Sequence, residues 1–291
     1  MAVLGSGIGV FCAPCDCGGG ADQVPTDLHI ACGGCSHRGK IRDTNEDDML
    51  CLPRAGLWLV ADGMGGHRGG DVASAMIAAQ AATMGVPVSA QDQRARLGDR
   101  LTRAHDAIRS HADQRGLDQI GATVAALTVF GSAFACVWAG DSRVYLWRDA
   151  DLIRLTQDHS EVQAMIAAGL MSEEQARRWP RRNVITRAVG IGPHLRTEMV
   201  TGVTRPGDRF LICTDGLTEH LGDAELAAFM ARPGRPQDIA RSLMDEALRR
   251  GAHDNVTLLV LTCRPASNGG KADDAPGGVA VAGGADDVTA L

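Results

Sequence analysis

No stretch of this sequence holds the roughly 20 consecutive apolar residues that a bilayer-spanning helix needs, so no membrane span is expected. Positive charge is not in excess either: the formal net charge of −6 leaves no broad basic footprint for nucleic acid. The N-terminal segment MAVLGSGIGVFCAPC is mildly apolar but has no Lys or Arg ahead of it, which makes it a poor secretion signal, and a cytoplasmic protein is expected. The cysteines do not add up to a disulfide framework. There are nine, an odd number, and Cys51, Cys136, Cys213 and Cys263 fall in strand-like apolar runs, which fits reduced, buried thiols.

What is there is enough chain for a substantial core: 291 residues make one large domain or two small ones. One domain is favoured, because the acidic motifs run from about residue 45 to 255 with no linker between them. Residues 1–27 are Gly- and Cys-rich without periodicity and read as a loose leader. Residues 28–264 are globular in pattern, and 265–291 form a Gly/Ala/Asp-rich, aromatic-free stretch expected to be a disordered tail. LHIACGGCSHRGKIRDTNEDDMLCLP predicts a strand, a polar turn and a strand, with Arg42 on a strand or its edge. Helices are expected near 71–84, 90–115, 223–231 and 236–250. Strands are expected at 121–130 and 133–139, joined at Gly131-Ser132, then around VYLWRDADLIRL and at 255–262. Residues 160–190 break the pattern with two short helical stretches and a basic piece, as a lid or binding loop would. Consecutive strands with paired helices imply an α+β fold, a layered sandwich of antiparallel sheets covered by helices.

The chemistry gathers where apolar strands end. In LWLVADGMGGHRGGDVAS an apolar run stops at Asp62-Gly63, and Gly63 lacks the Cβ that would hinder a ligand's approach to the backbone. FACVWAGDSR runs into Asp141 and DRFLICTDGLTEH into Asp215, while Asp254-Asn255 precedes VTLLVLT. One Asp-Gly pair is usually only a turn. Repetition at strand ends points further, because clustered carboxylates repel unless a cation neutralises them. Oxygen-only ligands without paired histidines favour a hard ion such as Mg2+ or Mn2+. Arg42, just before Asn45, Glu46 and Asp47, reads in isolation as part of a solvated charge pattern. Beside a carboxylate-bound metal it supplies the fixed bidentate cation an anionic substrate needs.

RDTNED, VADGMGGHRGGDVAS, GATVAAL, WAGDSRVYLWR, LTQDHS, NVITRAVG, GDRFLICTDGLTEHL and HDNVTLLVL, in this order, resemble the bacterial metal-dependent type 2C (PPM) serine/threonine protein phosphatases over about residues 28–263. The resemblance implies a central antiparallel β-sandwich flanked by helices on both faces, with a two-metal Mn2+ or Mg2+ site at one end. By motif position, Asp62 would bridge both ions and Asp215 and Asp254 would complete one of them. The Gly63 carbonyl, with Glu46 through water, would serve the other. Asp141 with Glu219 would hold a third, weaker ion, Asp47 and Asn255 would support the set, and Arg42 would grip the phosphate. Residues 160–190 correspond to the family's mobile flap. The implied reaction is hydrolysis of phosphoserine or phosphothreonine on proteins by a water shared between the ions, with no covalent phosphoenzyme, reversing a serine/threonine kinase.

For the leaving-group proton, Met64 stands where family members of higher organisms have histidine. His67 is near in sequence, but a turn role fits it at least as well, and water on the metal is the other candidate. The chain departs from the bacterial pattern with Ser36-His37 for Ser-Asp and Trp179-Pro180 for His-Pro in the flap. Its Ser-His, GLWLVADGMGGH and NVITRAVG are similar to phosphatases linked to type VI secretion, implying as partners a kinase and its substrates, including a forkhead-associated protein. A monomer is expected.

Three rivals are weighed against this. Cys32 and Arg38 fit C-x5-R, the phosphate loop of cysteine phosphatases, but that loop needs a helix after the arginine, which GKIRDTNED does not predict. Cys12, Cys15, Cys32 and Cys35 have structural-zinc spacing, but the last two lie on the predicted first strand, and unligated thiols are the preferred reading. A phosphoprotein-binding module without turnover should have lost bridging carboxylates, yet Asp62, Asp215 and Asp254 are all present.

Overall fold

The computed structural model describes residues 28–65, 69–117, 119–177, 179–181, 183–265 and 280–281. Two antiparallel sheets face each other. One holds, in spatial order, β1 (Leu28–His37), β11 (Val256–Pro265), β10 (Arg209–Cys213), β7 (Arg143–Arg148) and β8 (Asp151–Arg154). The other runs β12 (Ala280–Val281), β2 (Asp47–Leu52), β3 (Leu57–Met64), β5 (Val124–Phe130), β6 (Ala133–Ala139) and β9 (Glu198–Val203), with short β4 (Gly121–Ala122) pairing with β3.

Period-two alternation sorts each strand into two cores. On β3, Trp58 and Val60 join the layer between the sheets, with Leu127, Phe210 and Leu259. Leu57, Leu59 and Ala61 face the other way, under α1 (Gly70–Ala82) and α2 (Ala90–Arg115). The opposite sheet sends Tyr145, Leu211, Cys213 and Leu258 outward against α6 (Asp223–Met230) and α7 (Pro236–Arg249). The result is the expected helix–sheet–sheet–helix layering, with both sheets covered by helices.

Local chemistry explains the helix ends. Ser89 caps α2 by accepting from Asp92 N at 3.0 Å, and Gly116 closes it in the left-handed region at φ 60°. α7 starts on Pro236, whose missing N–H costs nothing in a first turn. The interruption at 160–190 contains α3 (Glu161–Ala167) and α4 (Glu173–Arg177), and Ser160 caps α3.

The structure departs from the sequence reading in three places. Arg42 lies in a loop over 38–46, not on a strand. β9 was not foreseen as an element, because EMVTGV is an edge strand of alternating half-buried and exposed residues with little apolar signal. Ala280 and Val281, within the stretch expected to be a disordered tail, pair with Cys51 and Leu50. The leader, with Cys12 and Cys15, and His67 lie outside the described residues. Among the described residues no helix is long and apolar enough to cross a membrane.

Candidate active site

At one end of the sandwich the inward-facing positions change from apolar to polar without losing register. Continuing Trp58 and Val60 by two residues gives Asp62, and continuing Cys51 and Met49 backwards gives Asp47, its partner across the β2–β3 ladder. The same step leads to Thr123 just before β5, Ser142 before β7, Thr214 after β10, and Thr257 and Ser36 on β11 and β1. These hydroxyls bind one another and the backbone. Thr123 Oγ1 lies 2.7 Å from Ser142 Oγ and accepts from Asp62 N at 3.2 Å, while Ser36 Oγ lies 2.8 Å from Thr257 Oγ1. Thr214 Oγ1 donates to Asp47 Oδ2 at 2.9 Å. Sequence reasoning assigned none of them a role, although the alternation of their strands already placed them on the inner face.

The carboxylates converge on this layer. Asp215 opens α5 (Asp215–Thr218), and Glu219 follows as its C-cap, one turn on and so on the same side. Burial, then the negative charges of Asp47, Asp215, Asp141 and Asp254, pushes the Asp62 carboxyl well above the usual carboxylate range. Asp215 is raised in the same way by burial and then by Asp141, Glu219, Asp254 and Asp47. Burial pushes Asp47 up to about 7 against the hydrogen bonds of Thr257 and Thr214, with Asp254 and Asp48 adding to the rise. Asp141 is pushed up to about 6 by burial and by Asp158. Asp47 Oδ1 and Asp215 Oδ1 are buried with no hydrogen-bond partner among the described residues.

A buried set of mutually repelling oxygens with orphaned lone pairs is the donor set a hard divalent cation neutralises. The residues therefore fit Mg2+ or Mn2+. Among the described residues no three His, Cys, Asp or Glu side chains stand in a closed coordination shell. One candidate ligand is engaged otherwise, since Arg42 Nη2 donates to Asp254 Oδ2 at 2.7 Å.

Asn255 holds the loop that carries Arg42 and Glu46. Its Nδ2 donates to Arg38 O and Thr44 O, both at 2.9 Å, and its Oδ1 accepts from Glu46 N at 2.8 Å. Ser74 on α1 donates to Glu46 O at 2.6 Å. Gly63 also has a packing role beside the ligand approach expected of it. A Cβ there would stand 2.2 Å from Gly70 O and 2.6 Å from Glu46 O, so glycine is needed for α1 and the loop residue Glu46 to close on β3.

The segment over 160–190 is tied to the same end. Asn183 Nδ2 donates to Glu219 Oε1 at 2.9 Å. At its base His159 accepts from Gly140 N at Nδ1 (3.1 Å), stacks on Trp138, and lies 3.2 Å from Arg187 Nη1. Arg143, beside Asp141, is held bidentately by Asp158 at 2.9 and 2.6 Å. His159, Arg143 and Asp158 were not singled out from sequence.

The thiol alternatives do not survive. Cys32 joins the core between the sheets, while Cys35 faces the opposite core under α7. Three residues apart on one strand, they point to opposite faces and cannot share a zinc ion while β1 stays paired. Cys32 is also 3% exposed in mid-strand, with no helix after Arg38 to cradle an anion.

The sequence profile of protein phosphatase 2C matches residues 34–250. The chain belongs to the protein phosphatase 2C family. It is 34% identical over 226 residues to the serine/threonine protein phosphatase PstP of Mycobacterium tuberculosis, a match covering 77% of this chain and 43% of that relative, so the chain spans less than half of that protein's length. Among solved structures it is similar to PppA, described as a key regulatory component of T6SS in Pseudomonas aeruginosa. That similarity is 36% identity and a TM-score of 0.75, over 82% of this chain and 99% of PppA. It is also similar to the catalytic domain of PstP in complex with two manganese ions, at 32% identity and a TM-score of 0.75, over 81% of this chain and 99% of that one. This phosphatase 2C chain thus shares its fold with a protein solved with the metal that its own carboxylate set suits.

Proposed function

We propose that the chain is a metal-dependent protein serine/threonine phosphatase that hydrolyses phosphoserine or phosphothreonine. The observation that carries this is the convergence of Asp62, Asp141, Asp215 and Asp254 into one electrostatically coupled cluster, with Arg42 at its lip. Asp62 would be the ligand shared by two Mn2+ or Mg2+ ions. Asp215 and Asp254 would serve one of them, and the Gly63 carbonyl with Glu46 would serve the other. Asp141 and Glu219 would hold a weaker third ion. When bound, such ions lower the pKa of water and stabilise charge on the phosphoryl oxygens.

The remaining work falls to the chain's own residues. Asp47, hydrogen-bonded by Thr214 and facing Asp62 across the ladder, fixes where Asp62 lies. Asn255 sets the height of the 38–46 loop, so that Arg42 can turn its guanidinium to a phosphate oxygen in bidentate fashion. The flap, anchored through Asn183 and His159, reaches the carboxylates at Glu219 and is assigned the selection among protein substrates.

A binding module without turnover would have no use for the full carboxylate set. In the cell the chain would reverse a serine/threonine kinase. Its similarity to PppA supports a phosphothreonine substrate on a kinase or forkhead-associated protein of a type VI secretion system. The test is hydrolysis of p-nitrophenyl phosphate and a phosphothreonine peptide by the purified chain. Turnover that requires Mn2+, stops on chelation and resists thiol alkylation is expected. No turnover with tight phosphopeptide binding would replace the enzyme with a binding module.

A further inference from the structure

We infer that Ile41 reads the residue beside the phosphorylated serine or threonine, so that phosphoprotein segments with a bulky aliphatic neighbour are preferred. The inference rests on the phosphatase reading above and names a substrate class for the same site.

Ile41 is 68% exposed, directly before the phosphate-gripping Arg42. A single exposed aliphatic side chain is ordinary on a protein surface. This one is displayed by a loop with little freedom to move. Asn255 ties the carbonyls of Arg38 and Thr44 on either side of it, and Lys40 N donates to Ala252 O at 2.8 Å. Gly39, at φ +78°, packs so closely that a Cβ would stand 2.1 Å from Asp254 O. The loop is therefore locked to the segment that carries Asp254, and Ile41 keeps a fixed distance from the phosphate position.

Arg42 turns inward to Asp254 while Ile41 stays in solvent. A phosphoresidue gripped by Arg42 has its neighbours at the loop's outer surface, where Ile41 is the apolar side chain on offer. The flap reaches the carboxylates through Asn183, which donates to Glu219, with Trp179 (37% exposed) four residues earlier. A segment laid across the carboxylates thus meets a pinned aliphatic group at one end. Because the loop is ordered before binding, little entropy is lost on contact. One aliphatic contact in a specificity site is worth roughly a tenfold preference.

The experiment measures kcat/KM with Mn2+ on two phosphothreonine peptides that differ only in having leucine or glycine on both sides of the phosphothreonine, alongside p-nitrophenyl phosphate. The wild-type chain should favour the leucine peptide about tenfold. Ile41→Ser should bring that ratio close to one while p-nitrophenyl phosphate turnover is unchanged, and Ile41→Leu should restore it. An unaltered ratio in Ile41→Ser, with p-nitrophenyl phosphate still hydrolysed, overturns the role of Ile41 and leaves the phosphatase reading standing. Absence of p-nitrophenyl phosphate hydrolysis by the wild-type chain overturns both.

Discussion

The interior of the sandwich and its polar end are built from the same strands on the same faces, yet they do opposite things to stability. In the interior, Trp58 and Val60 on β3 meet Phe210, Leu259 and Leu127 and are removed from water. Two residues further along β3, Asp62 occupies the equivalent inward position and is raised by burial and by four other carboxylates. One stretch of strand contributes the cohesion that keeps the sheets together, and the next holds like charges that oppose it. The apolar layer supports an unfavourable arrangement at its end, of the kind the proposed cation site needs.

This contrast can be broken most severely at Asp62 and Asp215. Asp62→Asn or Asp215→Asn should lower phosphatase turnover on the order of 10^3-fold, because each removes a ligand that charge stabilisation in the transition state depends on. The thermal midpoint of the metal-free protein should hold or rise, since one repelling carboxylate is gone. Retention of more than about a tenth of wild-type kcat would end the assignment.

The opposite substitution, Trp58→Ala, should cost about 3–5 kcal/mol and roughly 10 °C in thermal midpoint, with specific activity per folded molecule preserved. Circular dichroism melts and active-site titration check it, and a loss of activity without a loss of stability would erase the distinction between the two regions. Asn255→Ala should be intermediate. It leaves Arg38 O, Thr44 O and Glu46 N without their side-chain partner, costs about 1–3 kcal/mol, and raises KM for p-nitrophenyl phosphate by loosening Arg42. An unchanged KM would show that the loop does not depend on that side chain.

The smallest expected effect is on pH. In the folded chain Asp47 and Asp141 hold protons up to about 7 and about 6, against 3.8 for the ordinary group. Between those values the folded state binds more protons than the unfolded one. The stability they contribute is therefore full below about pH 4 and lost as pH rises through about 6 to 7. Chelated protein should melt lower at about pH 8 than at about pH 5, and saturating Mn2+ should abolish the difference, because metal binding strengthens as its ligands deprotonate. A chelated protein whose melting rises over that interval would contradict the buried, unneutralised cluster.

Much of this was legible beforehand. An apolar run that stops at Asp-Gly announces both a strand and a carboxylate at its end, so Asp62 and Asp215 could be placed from sequence, as Asp141 could from the Gly-Asp that ends β6. The motif order made the layered fold and the family readable, and Ser89 and Gly116 made α2 so. What was not legible depended on partners distant in the chain. The loop bearing Arg42 is shaped by Asn255, and Gly63 answers also to the backbone of Gly70 and Glu46, which pack against it. Thr123, Ser142 and Thr214 were readable in principle, by continuing each strand's alternation past its last apolar residue. The same rule would have separated Cys32 from Cys35, whose odd spacing on a strand puts them back to back.

The central claim is that this polar end holds divalent cations. Crystals grown with saturating manganese and measured at its absorption edge test it most directly. Two anomalous peaks are predicted, sharing Asp62, with Asp215 and Asp254 at one and Gly63 O facing the other, and Asp62→Asn should lose at least one of them. No peak at saturating manganese, or peaks confined to other parts of the surface, would contradict the account.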